Sequence, residues 1–227
     1  VSGHKRRKRL DHLNVVTHNV RVARNPSEVA GGVATMIDAV QPHVVMLQEV
    51  VPRYLPGLRS IPGYRLIVER GWVDSTNCVT LVRRDVPIKR WRTIRNRIGW
   101  RGPVHGWARV GRTFQIVDLY GWRLVNVHRT RLAWGAAAYA EEDDALRRIA
   151  AKRRSQRPAF VVVGDQNEPY SDNGPYTPGR MARDIGLEPV GRSGIDYALV
   201  RGCDGHALRL NKYGSDHYAR LVRLNRT

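Results

Sequence analysis

Residues 44–49 read Val44-Val45-Met46-Leu47-Gln48-Glu49, four apolar side chains running straight into an amide and a carboxylate. A continuous apolar run of this length, placed just after Pro42, fits a strand covered on both faces. Upstream, Ser27 can cap a helix through about Val40, with Val29, Val33, Met36, Ile37 and Val40 on one face. Before it, Leu13 to His18 reads as another strand. Strand, helix, strand is a parallel crossover unit, in which the ends of adjacent strands lie side by side. Asn19 and Glu49 are therefore expected near one another.

Working outward, strands are expected at Tyr64–Glu69, Cys78–Arg83, Thr113–Leu119, Arg123–Val127, Ala159–Val163, Ile195–Val200, His206–Leu210 and Ala219–Leu224. Tyr120-Gly121-Trp122 suits a hairpin between two of them. A helix is expected from about Ala136 to Arg154. Its acids Glu141, Glu142, Asp143 and Asp144 lie early and Lys152, Arg153 and Arg154 lie at its end, so the quartet is read as helix-end electrostatics, not a metal site. Residues 168–180 form a Pro/Gly-rich loop beside a polar cluster. Parallel and hairpin connections together indicate an α/β fold with two packed sheets. No repeat or low-complexity linker divides the chain. The expected organisation is a flexible basic tail over residues 1–10, then one domain over 11–227.

The 227 residues are 42% apolar, enough for a sizeable core. No apolar stretch approaches the ~20 residues that span a bilayer, and the basic start lacks the apolar run of a secretory signal. Cys78 and Cys203 are too few for a disulfide framework or a zinc site. A cytoplasmic setting is expected, and the Arg-rich composition suits a bacterial or phage protein. Lys plus Arg number 39 against 20 Asp plus Glu, a net charge of +19. Such a chain attracts polyanions. Val1 to Arg9 holds Lys5, Arg6, Arg7, Lys8 and Arg9 without an acid. Arg83 to Arg112 holds ten basic residues against Asp85 alone. Trp91, Trp100 and Trp107 interleave with the latter, either as a surface for phosphates and bases or as strand anchors in a core.

Five segments share one layout, an apolar strand ending in polar residues able to bind metal or move protons. They are Val15-Val16-Thr17-His18-Asn19, Val45-Met46-Leu47-Gln48-Glu49, Leu124-Val125-Asn126-Val127-His128, Val161-Val162-Val163-Gly164-Asp165-Gln166-Asn167 and Tyr213-Gly214-Ser215-Asp216-His217. Ile195-Asp196-Tyr197 adds an acid at a strand start. Asp, Asn and His at one strand end are usually turn formers. Six such segments in a chain this short are hard to assign to turns alone.

Their order resembles the endonuclease/exonuclease/phosphatase superfamily, the DNase-like metal-dependent phosphoesterases, over about Leu13 to Leu224. The Gln-Glu, Asn-Val-His, Gly-Asp-x-Asn and Ser-Asp-His elements carry the resemblance. Asn77-Cys78-Val79-Thr80-Leu81-Val82-Arg83, then Val86-Pro87-Ile88, looks like the family's intermediate strand and Pro-Ile turn. The resemblance implies a four-layer α/β sandwich, two mixed β-sheets flanked by helices, with its site at one sheet edge. It implies Glu49 as principal ligand of Mg2+ or Mn2+, with Asn19 and Asp216 nearby. Hard divalent cations take such oxygen ligands. His217 would pair with Asp196 and act either as a base or as a cation. Asp165 and Asn167 would orient the attacking water, and His128 would donate to the phosphate. Asn77 is a further phosphate candidate, as are Asp172, Tyr176 and Arg180 in the adjoining loop. His18 is read as a neighbour, not a ligand. Two departures stand out. Gln166 replaces the family's usual aromatic or aliphatic residue, and no carboxylate partner for His128 is identifiable, Thr76 or Asn77 filling that region.

The expected function is a divalent-metal-dependent phosphodiesterase, a nuclease cutting DNA, with endonuclease action favoured. Its binding surface would include Arg90, Arg92, Arg95, Arg97 and Arg101. DNA is favoured over RNA as partner, no integral membrane association is expected, and the default state is a monomer. The alternatives are the same chemistry on RNA or a phosphoinositide or phospholipid head group, and a nucleic-acid-binding protein with a vestigial site.

Overall fold

A computed structural model describes residues 9–69, 77–95, 113–134, 136–151, 158–171, 173, 177–191 and 194–227. Its strands are β1 His12–Asn19, β2 Val44–Val50, β3 Tyr64–Ile67, β4 Asn77–Arg83, β5 Ile88–Arg95, β6 Thr113–Leu119, β7 Trp122–His128, β8 Ala159–Asp165, β9 Glu188–Val190, β10 Asp196–Arg201, β11 Cys203–Arg209 and β12 Arg220–Arg226. Its helices are α1 Pro26–Val40, α2 Leu55–Arg59, α3 Ala136–Ala151 and α4 Pro178–Ile185. Two six-stranded mixed sheets result, ordered β11-β12-β1-β2-β4-β3 and β5-β6-β7-β8-β10-β9. The expected crossover is present as β1-α1-β2 with β1 and β2 parallel, and β6 and β7 form the expected hairpin.

Period-two alternation divides every central strand between two interiors. Val15, Val44, Met46, Leu124, Val161 and Val163 face the space between the sheets. Val16, Val45 and Leu47 pack beneath α1 and α2. Val125, Val127 and Val162 pack beneath α3 and α4. Three apolar interiors between four layers make an α/β/β/α sandwich.

Several expected details differ. Helix α1 is capped by Asn25, not Ser27: the Asn25 Oδ1 accepts from the Ser27 backbone N–H at 3.0 Å, and Pro26 takes the first helical position, where its missing N–H costs nothing. Helix α4 enters the end of the segment expected to be a loop. Thr177 caps it, and the apolar anchors Met181 and Ala182 are too few to show as periodicity. Strand β5 was not expected, because as an edge strand most of its residues are exposed and it lacks an apolar face. The acidic quartet of α3 does more than complement a dipole: Glu142 and Asp143 are buried and bind the fully buried Arg129. Lys152, Arg153 and Arg154 lie outside the described residues.

At the end of the sheets away from the polar strand ends, Asp118 of β6 is buried against two arginines. Arg123 donates through Nε to its Oδ1 at 2.7 Å and through Nη2 to its Oδ2 at 2.9 Å, and Arg90 donates to Oδ2 at 2.5 Å. Burial pushes the carboxyl up, but these bonds outweigh it and hold Asp118 below its ordinary value. A depressed folded value stabilises above the unfolded carboxyl pKa of about 3.9 and is lost as pH falls through the lower folded value. Asp118→Ala leaves Arg123 buried without its acid, and the expected loss at pH 7 is about 3–5 kcal/mol. Urea titrations should show the gap between wild type and variant narrowing as the pH is lowered below 4.

Candidate active site

Strands β1, β2, β7 and β8 all end at one rim of the sandwich. Alternation continues the inward-facing row to the strand ends. Asn19 follows Val15 and Thr17, His128 follows Leu124 and Asn126, and Asp165 follows Val161 and Val163. The ladder sets Asn19 beside Gln48, His128 beside Asp165, and Asp165 beside Asp196 of the antiparallel β10. Glu49 is the exception. Unbroken alternation would send it with Val45 and Leu47 toward the helices. Instead the β2–β4 register shifts between Leu47 and Val50, and Glu49 takes a left-handed φ of 57°. The bulge re-aims the carboxylate toward the rim.

The Asn19 Nδ2 group donates to Glu49 Oε1 at 3.2 Å and to Asp165 Oδ2 at 3.0 Å. His128 Nε2 lies 3.8 Å from Glu49 Oε1 and 3.6 Å from Asp165 Oδ2, and His217 Nε2 lies 4.0 Å from Asp165 Oδ2. His217 donates through Nδ1 to Asp196 Oδ2 at 2.9 Å. Asn167, at φ 56°, gives its backbone N–H to Asp165 Oδ1 at 2.8 Å and its Nδ2 to the Arg129 carbonyl at 2.6 Å. Ser215 holds the last loop in place. Its Oγ donates to the Asn19 carbonyl at 2.6 Å and accepts from the His217 backbone N–H at 3.2 Å. Asp216 is more exposed and faces Arg21, 3.8 Å away.

Electrostatics follow from this crowding. Burial, then the charge of Asp196, holds the Asp165 carboxyl well above the usual carboxylate range, against His217, Asn19 and the Asn167 N–H. Burial alone would lower His217. The Asp196 hydrogen bond and the charges of Asp196, Asp165 and Asp216 outweigh it and raise the imidazole to about 9. His18 is lowered to about 3, by burial first and then by His217 and Arg24, and stays neutral beneath the site.

Several contributors escaped the sequence reading. Gln48 and Asn126 lie within the strand-end motifs, and the sequence assigns them no role. Between the sheets Gln48 Nε2 donates to Asn126 Oδ1 at 2.7 Å, and Asn126 Nδ2 donates to the carbonyls of Leu47 and Val79 at 3.1 and 3.0 Å. An amide recurring at an inward position was the available signal. Arg21 and Arg131 flank the carboxylates, Arg131 donating to Asn167 Oδ1 at 3.1 Å. Beneath Asn167, the guanidinium of Arg129 lies 3.8 Å from the Tyr139 ring centroid, between Glu142 and Asp143. Glu142 also accepts from the Thr130 N–H and hydroxyl. Arg129 follows His128 in an apolar strand, a place where a charge signals a buried partner.

The other candidates scatter. Asn77 opens β4 beside Val50 and accepts from the Thr113 hydroxyl. Arg95 ends β5 on the site's side of its sheet and pairs with Glu69 at 3.4 Å. Arg90 lies five residues back, about 16 Å along the strand, held by Asp118, and is not brought to the site. Arg92 is exposed on the same strand. Arg97, Arg101, Asp172, Tyr176, Trp100 and Trp107 lie outside the described residues, and Trp91 is exposed instead of forming a core anchor.

The residues fit a hard divalent cation. Glu49 and Asp165 converge on one amide group, and Asp165, Asp196 and His217 place ligand atoms within 4.8 Å of one another. With His217 Nδ1 engaged by Asp196, the groups left facing the centre are mainly carboxylate oxygens, the donors that Mg2+ and Mn2+ prefer.

This is a two-sheet α/β fold with acids and histidines gathered at one rim, and a family model described as the Endonuclease/Exonuclease/phosphatase family matches residues 16–217. The chain belongs to that family, whose members are phosphoesterases that generally use divalent metals. Among solved structures it is similar to an endonuclease/exonuclease/phosphatase from Bacteroides vulgatus, at TM-score 0.75 and 18% identity over 95% of this chain and 99% of that one. It is also similar to a Bacteroides thetaiotaomicron mannosyl-6-phosphatase, at TM-score 0.68 and 18% identity over 93% and 99%. A third is D. rerio TDP2 complexed with single strand DNA product, at TM-score 0.65 and 15% identity over 94% and 99%. Comparison with the curated proteins gives no match.

The His217–Asp196 pair is open to direct measurement in metal-free protein. Followed by NMR of its ring proton, His217 should titrate near 9. In Asp196→Asn its pKa should fall by about 1–3 units, as loss of an adjacent opposite charge implies.

Proposed function

We propose that this chain is a divalent-metal-dependent phosphodiesterase acting on nucleic acid, with DNA favoured and internal cleavage favoured over cleavage from an end. The observation that carries the reading is the meeting of Asn19, Glu49, His128 and His217 around Asp165 on a chain of net charge +19. Glu49, with Asn19 bonded to it and Asp216 as a further carboxylate, would hold Mg2+ or Mn2+, which when bound polarises a phosphoryl oxygen. His128 and His217 would face the other oxygens of the same phosphoryl group. A histidine protonated at neutral pH suits the cationic role better than that of a base, so His217 would stabilise the charge developing in the transition state. Asp165, buried and held above the usual carboxylate range, is suited to take a proton from the attacking water, with Asn167 fixing its orientation. Arg21 and Arg131 would meet flanking phosphates and contribute affinity more than sequence preference.

The test is incubation with supercoiled plasmid in Mg2+ or Mn2+, beside an EDTA control and the His217→Ala variant. Metal-dependent nicking is expected, abolished by EDTA and slowed on the order of 10²–10⁴-fold in the variant. Turnover of a sugar phosphate with the plasmid left intact would overturn the nucleic-acid assignment while keeping the family chemistry. Plasmid retarded but never cut, with wild type and variant alike, would make the chain a binder with a vestigial site.

A further inference from the structure

The geometry points to a second contact for the substrate, a stacking platform at Trp91 on the edge of the second sheet for a base of single-stranded nucleic acid whose phosphate occupies the carboxylate rim. It rests on the nucleic-acid reading above and deepens it. Trp91 is 41% exposed, on a strand that is the edge of its sheet among the described residues. Tyr218, similarly exposed, carries Arg209 and Lys212 over its ring, whereas Trp91 has neither a ring partner nor a cation over it among the described residues.

The register links this residue to the site. Along β5, Trp91, Thr93 and Arg95 share one face, opposite Val117, Gln115 and Thr113. Gln115 pairs with Asn126, so Thr113 lies level with His128, which pairs with Asp165. Across the sheet from the site, past the buried Thr113, lies Arg95, and farther down β5 lies Trp91. Three strand spacings are about 14 Å and four residues about 13 Å, so Trp91 stands about 20 Å from Asp165. That is about six nucleotides at 3.4 Å each along a strand, fewer if the strand is stretched.

The charges on this edge of the sheet suit a polyanion. Arg95, its side chain 59% exposed, pairs among the described residues only with Glu69, itself part-exposed. Asp118 is satisfied by Arg90 and Arg123. Lys89 and Arg92, close to the tryptophan in the chain, are exposed and pair with no acid among the described residues, Arg92 on the other face of the strand. A flat aromatic face among cations offers any unpaired base a stack, with phosphates on the flanking charges. A duplex buries its base faces against one another, so the platform selects a single strand.

The experiment measures fluorescence anisotropy of labelled oligo-dT of 4, 8 and 12 nucleotides in Mg2+, using His217→Ala protein to prevent cleavage. Affinity should rise steeply between 4 and 12 nucleotides. Adding Trp91→Ala should weaken the 12-mer by about 5- to 150-fold while leaving the 4-mer within a factor of two. Trp91→Phe should recover most of the loss, which separates stacking from a folding defect. Unchanged 12-mer affinity in Trp91→Ala, with plasmid still cut by the wild type, would overturn the platform and leave the nuclease reading standing. Failure of all lengths to bind, with plasmid still cut by the wild type, would overturn the platform alone; failure to bind together with uncut plasmid would overturn both. A change of oligomeric state by size exclusion, with binding unaffected, would make Trp91 a self-association contact and also overturn the platform.

Discussion

One amide group joins the two sheets at the point where their chemistry is gathered. The Asn19 side chain, at the end of the first strand, donates to Glu49 in its own sheet and to Asp165 in the other. For it to reach both, the sheets must stack in a single lateral position, and Glu49 must turn off the course of its strand. Both acids are partly or wholly withdrawn from water, so an unpartnered arrangement would be costly. The same contact that satisfies Asn19 therefore sets the spacing of the carboxylates. Between the sheets, Gln48 and Asn126 repeat this linkage one layer deeper, where each amide meets acceptors or donors on the opposite strands.

Beneath the second sheet the site rests on a buried ionic group. The segment after His128 supplies the carbonyl that orients Asn167, and it is held by Arg129, Thr130, Glu142 and Asp143. Replacing such a buried group with well-packed apolar residues is often neutral for stability, so its presence here is better explained by geometry than by energy. It fixes a loop that must not drift, because a displacement of about 1 Å in a catalytic constellation can cost on the order of 10²-fold in rate. On the other side, Tyr54 accepts from the Arg24 N–H and donates to the Val22 carbonyl, while Arg24 reaches the Tyr213 carbonyl. Those bonds hold the loop whose Val22 N–H meets Glu49.

Much of this was legible in the chain. The apolar runs ending in Asn19, Glu49, His128 and Asp165 announced central strands with polar ends, and the crossover rule brought the first two together. Alternation explains why Asn19, His128 and Asp165 face the same interior. The edge elements were less visible, since β5, β9 and α4 bury few apolar groups and so leave weak periodicity. The buried roles of Glu142 and Asp143 were hidden for a related reason. An acid in a helix looks the same in sequence whether it meets water or an arginine from another strand.

By itself the sequence determined the class of fold, the order of its central elements and the residue types at the strand ends, because hydrophobic periodicity and turn chemistry are local properties. It also determined the positive charge that favours a polyanionic partner. Only the tertiary structure decided that Glu49 turns inward through a bulge, that Arg129 is buried between Glu142 and Asp143, and that Arg90 lies away from the site while Arg95 lies toward it. Those outcomes depend on register and on the stacking of two sheets. They are set by contacts between residues far apart in the chain, which no local pattern encodes.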